Sequence, residues 1–116
     1  VYQYTGDATK TIKSKRQTLA WAQQVVALGA GEIVLNCMNN DGVKKGYDIE
    51  QLKAVKAAVS VPVIASGGAG DYQHFADLFR TTNIDGALAA TVFHSGKIPV
   101  PELKAFLRAQ SIEVRV

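Results

Sequence analysis

Three short apolar runs, each followed by a segment with helical spacing, recur along the chain and restrict its fold more than any other feature. The runs are Glu32-Ile33-Val34-Leu35-Asn36-Cys37, Val61-Pro62-Val63-Ile64-Ala65 and Ile84 to Ala90. Uninterrupted β-branched stretches of this kind belong to parallel sheets, so each is expected to be a strand buried on both faces. Pro62 is tolerable because it stands near the start of its run. Ahead of the first run, Leu19, Trp21, Ala22, Val25, Val26 and Leu28 fall at helical spacing between Arg16 and Leu28, and Gly29 and Gly31 supply a stop. Asp48 with Gln51 resembles a capping box, and Ile49, Leu52, Val55 and Val59 then form one apolar stripe. A third helix, Asp71 to Phe79, carries Phe75, Leu78 and Phe79 inward, and Pro99 and Pro101 precede a last helix bearing Leu103, Phe106 and Leu107. The tail Ile112 to Val116 is expected to be extended. The order α-β-α-β-α-β-α, with strand starts roughly 25 to 30 residues apart, is the rhythm of parallel βα units. Three strands are few for either an open doubly wound sheet or a closed barrel, so the chain reads as one domain over residues 1–116 that is part of something larger.

Composition excludes more than it identifies. With 47% hydrophobic and 20% charged residues the chain lies in the ordinary globular range. No apolar stretch approaches the roughly 18 residues that cross a bilayer, and Val1-Tyr2-Gln3-Tyr4-Thr5 lacks a signal-peptide profile, so no membrane role and a cytoplasmic location are expected. The single cysteine, Cys37, has no internal partner and sits among Val34, Leu35 and Met38, which reads as a core thiol. A net charge of +3 is spread along the chain, and its one dense basic run, Lys13, Lys15 and Arg16, suits a solvated helix face better than a nucleic-acid site. A mildly basic chain also suits a small anionic ligand.

The segment with the most chemical content is Ser66-Gly67-Gly68-Ala69-Gly70, between an apolar strand and the helix that begins near Asp71. Glycines there let the backbone approach a ligand, and free N–H groups at a helix start favour a phosphate; a tight turn without a ligand is the other reading. The next strand ends in Ala89-Ala90-Thr91, small residues and a hydroxyl, before Val92-Phe93-His94. In (β/α)8 enzymes two such adjacent loops often form one phosphate site; the rival reading is that Ala89 and Ala90 are only small for packing. After the first strand comes Asn39-Asn40-Asp41-Gly42, with Asn36 just inside it. A carboxylate at that end of a strand is placed for proton exchange with a substrate, which makes Asp41 the best general acid/base candidate, while Asp-Gly is also ordinary turn chemistry. Lys44 and Lys45 either close over an anion or lie on a solvated loop. Glu32, at the opposite end of its strand, points to stability or an interface rather than to chemistry. His74 is expected on the surface, and His94, nearer the proposed anion, lacks the companion ligands that a metal would need, so no metal or other cofactor is expected.

Taken together, Gly29-Ala30-Gly31-Glu32-Ile33-Val34-Leu35, Asp41-Gly42, Gly46-Tyr47-Asp48, Ala65-Ser66-Gly67-Gly68-Ala69-Gly70 and Asp85-Gly86-Ala87-Leu88-Ala89-Ala90-Thr91-Val92-Phe93-His94 resemble the cyclase subunits of imidazole glycerol phosphate synthases. The resemblance covers nearly the whole chain. It implies an α/β fold that is the C-terminal half of a (β/α)8 TIM barrel, with three parallel βα units after an N-terminal strand or hairpin remnant and a helix. It further implies a lyase of histidine biosynthesis that receives ammonia from a glutaminase partner. That enzyme closes an imidazole ring on the bisphosphate PRFAR, giving imidazole glycerol phosphate and AICAR. Carried over residue by residue, Gly67, Gly68, Ala90 and Thr91 match one phosphate clamp, with Asn36, Gly42 and Ser66 beside it, Asp41 matches an active-site aspartate, and Glu32 matches a charged gate for ammonia.

The resemblance also implies what the chain does not carry. The two principal catalytic aspartates of such cyclases lie on the first and fifth strands, whereas Val1 to Gly6 resembles the hairpin just after strand five. The isolated chain is therefore expected to bind phosphate without turnover, and to self-associate as a homodimer because half a barrel leaves edges and apolar faces uncovered. A sister isomerase of the same pathway shares the half-barrel and the glycine-rich clamp, but the run Ala89 to His94 and the tail Ile112 to Val116 are more like the cyclase.

Overall fold

A computed structural model describes residues 1–3, 6–13, 17–40 and 44–115. The chain opens with a small antiparallel hairpin, β1 (Tyr2–Gln3) against β2 (Ile12–Lys13), with Tyr2 opposite Lys13. Its turn is tightened by Asp7, whose carboxylate accepts from the Thr9 amide (2.9 Å) and hydroxyl (2.7 Å). Helix α1 (Thr18–Ala27) follows and ends as the glycine signal requires, with Gly29 at φ +108° and the Ala30 amide returning to the Val25 carbonyl.

Strands β3 (Ile33–Asn36), β4 (Val63–Ser66) and β5 (Gly86–Leu88) form one parallel sheet in the order of the chain. Their register aligns Asn36 with Ser66 and Ser66 with Leu88. Helix α2 (Ile49–Ala58) links β3 to β4, α3 (Tyr72–Thr81) links β4 to β5, and the short α4 (Thr91–His94) and α5 (Val100–Ala109) complete the described chain. Crossovers of one hand that advance in one direction keep their helices on one side of the sheet, which is barrel winding; a doubly wound sheet reverses direction.

Burial agrees with that winding and corrects one expectation. Val63 and Ala65, which face the helices, are fully buried, with Ile33, Leu35 and Ala87 packed against the same core. On the other face Val34 is 55% exposed and Leu88 45% exposed. The outer strands β3 and β5 are therefore not buried on both faces, whereas the central β4 has no exposed residue on either. On the second face Ser66 is buried and Ile64 half-buried, so the exposure is concentrated on the outer strands. The stripe on α1 behaves likewise: Ala22 is its one buried residue, and Leu19 and Leu28 are exposed.

Other boundaries shift for local reasons. Pro62 lies just outside β4, where its carbonyl accepts from the Ile33 amide and its missing N–H is no loss. β5 stops at Leu88, because Ala90 turns the chain into α4. Ile112 to Arg115 forms no strand; Ile112 and Val114 instead rest against the core. Asp48 does cap α2 by accepting from the Gln51 amide (3.2 Å), but Gln51 does not reciprocate, its side chain being held by Cys37 and Thr18. The reciprocal box is at α3, between Asp71 and His74. Cys37 is buried, and burial pushes its thiol up to about 11, consistent with a core thiol.

Candidate functional site

The carboxyl ends of the three strands converge because parallel register brings Asn36, Ser66 and Leu88 into one row on the open face. Ser66 is buried there and its hydroxyl donates to the Asn36 side-chain oxygen at 3.0 Å. Beyond it the chain can turn only through glycine. Gly67 and Gly68 have φ of +94° and +116°, the region that L side chains avoid. A Cβ on Gly67 would stand 2.8 Å from the Cys37 carbonyl oxygen, and one on Gly68 would overlap the Gly46 carbonyl. Gly70 is crowded in the same way by the backbone of Lys44.

These close approaches knit the β4–α3 loop to the segment that precedes α2. The Gly46 amide donates to the Gly68 carbonyl (2.8 Å), and the Asn40 side chain donates to the Gly46 carbonyl (3.1 Å). From behind, His74 accepts from the amides of Gly70 (2.9 Å) and Asp71 (3.3 Å) through Nδ1. His74 is thus partly buried rather than a surface residue, since its ring closes the cap of α3 and packs near Gly46.

Between this loop and the β5–α4 turn lies a cleft of about 310 Å³. Asn36, Ser66, Gly67, Gly68, Ala90 and Thr91, all singled out from the sequence, line it, together with Ala69, Leu88 and Ala89. The backbone N–H groups of Gly67, Gly68, Ala90 and Thr91 have no acceptor among the described residues. Lys44 is the one basic side chain of the described lining, and it adopts φ +60°, which strains a non-glycine residue by about 1–2 kcal/mol. Unpaired amides, a hydroxyl and one cation around a small volume can hold a tetrahedral anion. No carboxylate or imidazole lines the cleft among the described residues.

The remaining candidates lie elsewhere. Asp41 and Gly42 fall outside the described residues. Glu32 is exposed at the amino end of β3, the far end of the strand from Asn36. It borders a second cavity of about 490 Å³ along the outer edge of β3, with Trp21, Val25 and Gln51. His94 is exposed on α4 and does not line the cleft.

Tyr47 was not separable from its neighbours by sequence reasoning, and the fold gives it a central place. It is buried, its hydroxyl donates to the Leu88 carbonyl (3.0 Å), and its ring meets Phe75 edge-on at 5.7 Å. Burial holds its phenol well above the usual range, so it remains a donor. The available hint was an aromatic residue between a glycine and a helix cap, in an otherwise polar loop.

A family model described as "Histidine biosynthesis protein" matches residues 2–99. The chain is 64% identical over 115 residues to the imidazole glycerol phosphate synthase subunit HisF of Xanthomonas axonopodis pv. citri, covering 99% of this chain and 45% of that protein. It is 60% identical over 116 residues to the subunit of the same name from Buchnera aphidicola subsp. Baizongia pistaciae, again covering 45% of it. The chain thus spans less than half the length of these curated relatives.

Proposed function

Because the chain belongs to the histidine biosynthesis protein family, we propose that it is a single half-barrel domain supplying one phosphate clamp of an imidazole glycerol phosphate synthase cyclase. In this reading a complete barrel converts PRFAR and ammonia to imidazole glycerol phosphate and AICAR in the cytoplasm, and a glutaminase subunit delivers the ammonia. The observation that carries it is the cleft in which the amides of Gly67, Gly68, Ala90 and Thr91, without an acceptor among the described residues, share one small volume with Ser66 and Lys44. A volume near 310 Å³ lies at the small end of ligand sites, which run from about 300 to 1,000 Å³, and so suits one phosphate end of a bisphosphate rather than the whole molecule. Identities of 60–64% with subunits named for this synthase favour the cyclase over the sister isomerase.

Within that reading the residues divide the work. Gly67, Gly68, Ala90 and Thr91 grip the phosphate, Asn36, Ser66 and Gly42 shape its surroundings, and Asp41 exchanges protons. Glu32 belongs to the ammonia entrance at the opposite end of the sheet. The cleft without a carboxylate or imidazole in its described lining, on a chain spanning 45% of its relatives, supports binding without turnover for the chain alone. Its open sheet face supports self-association as a homodimer. Titration of glycerol phosphate into the isotopically labelled chain tests the clamp: the amide resonances of Gly67, Gly68, Ala90 and Thr91 should move together at millimolar ligand. Resonances that stay in place at saturating concentration would remove the basis for the reading.

A further inference from the structure

The two loops of the cleft come from different βα units, and a ligand held by both needs their separation fixed. One short segment touches each of them. The Gly46 amide donates to the Gly68 carbonyl at 2.8 Å, inside the first loop. The next residue, Tyr47, donates its hydroxyl to the Leu88 carbonyl at 3.0 Å, one residue before the Ala89-Ala90-Thr91 turn. Among the described residues this is the only side-chain hydrogen bond from residues 44–48 to β5. The Tyr47 ring also packs edge-on against Phe75 (5.7 Å), which stacks on Phe93 of α4 (5.9 Å), so the same side chain braces the far side of that turn.

We propose that Tyr47 is a positioning residue of the anion cleft, a strut whose hydroxyl sets the β5–α4 turn at the distance from the glycine loop at which both sets of amides reach one phosphate. The role rests on the reading of the cleft as a phosphate site. It goes beyond burial: a tyrosine that only fills the core stabilises the fold through its ring, and loss of its hydroxyl leaves anion affinity untouched. A strut couples the hydroxyl to the ligand, and such coupling is reciprocal, so the ligand must also act on the hydroxyl.

The experiment titrates inorganic phosphate into the full chain, labelled with 13C at the tyrosine ζ carbons, and repeats the titration on Tyr47→Phe and on Leu107→Val, a core truncation in α5 away from the cleft. In the wild type, phosphate should shift the Tyr47 ζ resonance. Tyr47→Phe, which keeps the ring, should weaken phosphate binding about five- to tenfold, the scale of one lost hydrogen bond. Leu107→Val should lose stability and keep its affinity within about twofold, as expected of a site distant from the change. The proposal is overturned if the wild type binds phosphate with the Tyr47 resonance unmoved, a measurement that does not depend on how the variant folds. It is equally overturned if Tyr47→Phe binds phosphate as tightly as the wild type, or loses no more affinity than Leu107→Val. No phosphate binding by the wild type overturns the cleft reading itself, and this role with it.

Discussion

Gly68 and Gly29 have nearly the same backbone, φ +116° and +108°, and very different surroundings. A Cβ on Gly29 meets nothing within 4 Å, whereas one on Gly68 overlaps the Gly46 carbonyl and lies 3.1 Å from the Asn40 side chain. The pair separates conformational strain from steric exclusion. Gly29→Ala should cost about 1 kcal/mol, the usual penalty for a side chain at positive φ. Gly68→Ala adds displacement of the Gly46 carbonyl and of the hydrogen bond from Gly46 to Gly68, so its loss should exceed that of Gly29→Ala by at least about 1–2 kcal/mol. It should also abolish the phosphate-induced amide shifts, which Gly29→Ala should leave intact. Urea denaturation of both variants beside the phosphate titration checks this. Equal stability losses with binding preserved in both would mean that the close approach at Gly68 is not required.

At the opposite end of the sheet, Asp85 ties three elements together. Its carboxylate accepts from Lys56 on α2 (2.7 Å) and from the Val63 amide at the start of β4 (2.9 Å), while its own position leads into β5. The Lys56 hydrogen bond first, and the Val63 amide next, lower its pKa from the ordinary aspartate value. A depressed folded-state pKa gives stability that is present above the unfolded value and is lost as pH falls through the folded one. Asp85→Asn should therefore lose stability at neutral pH and show a flatter decline than the wild type on acidification below about pH 4. The loss should be only about 0.5–1 kcal/mol, because the side chain is 41% exposed. Parallel acid-induced melts that decline identically would contradict it. Elements of this kind show where sequence is informative. Val63 to Ala65 and the stripe of Leu52 and Val55 declare strand and helix locally, and that rhythm carried the winding. The end of β5 was misread because Ala89 and Ala90 suit a strand and a tight turn equally. The box at Asp71 was missed because its reciprocal partner is a histidine instead of a glutamate or glutamine. Asp85 and Tyr47 act through partners 22 to 41 residues away, and no local pattern announces such contacts. In the cleft the glycines were legible because their backbone demand is intrinsic, whereas for Lys44 the sequence left an anion role and a solvated loop both open, and the fold places it in the lining.

For the whole molecule, the sheet supplies the strongest expectation. Val34, Ile64 and Gly86 form one aligned row on the open face, and Val34 is 55% exposed. Strands β3 and β5 have no outer neighbour among the described residues. Unpaired strand edges beside an apolar face recruit further strands, most readily from an identical chain, whose own face is complementary by symmetry. The chain should accordingly sediment as a dimer or larger species at high concentration and dissociate on dilution. Val34→Lys places a charge in the middle of the row, where burial against a second copy would strip its hydration, so this variant should shift the equilibrium towards monomer. Its phosphate site should survive, because Val34 lies two residues inside Asn36 and does not line the cleft. Sedimentation velocity over a concentration series, with phosphate titration of the same samples, gives both readouts. A wild-type chain that stays a compact monomer at every concentration would show that the open face needs no partner. A Val34→Lys variant that associates as strongly as the wild type would instead move the contact off this face and onto other exposed apolar residues, such as Leu19 or Leu28.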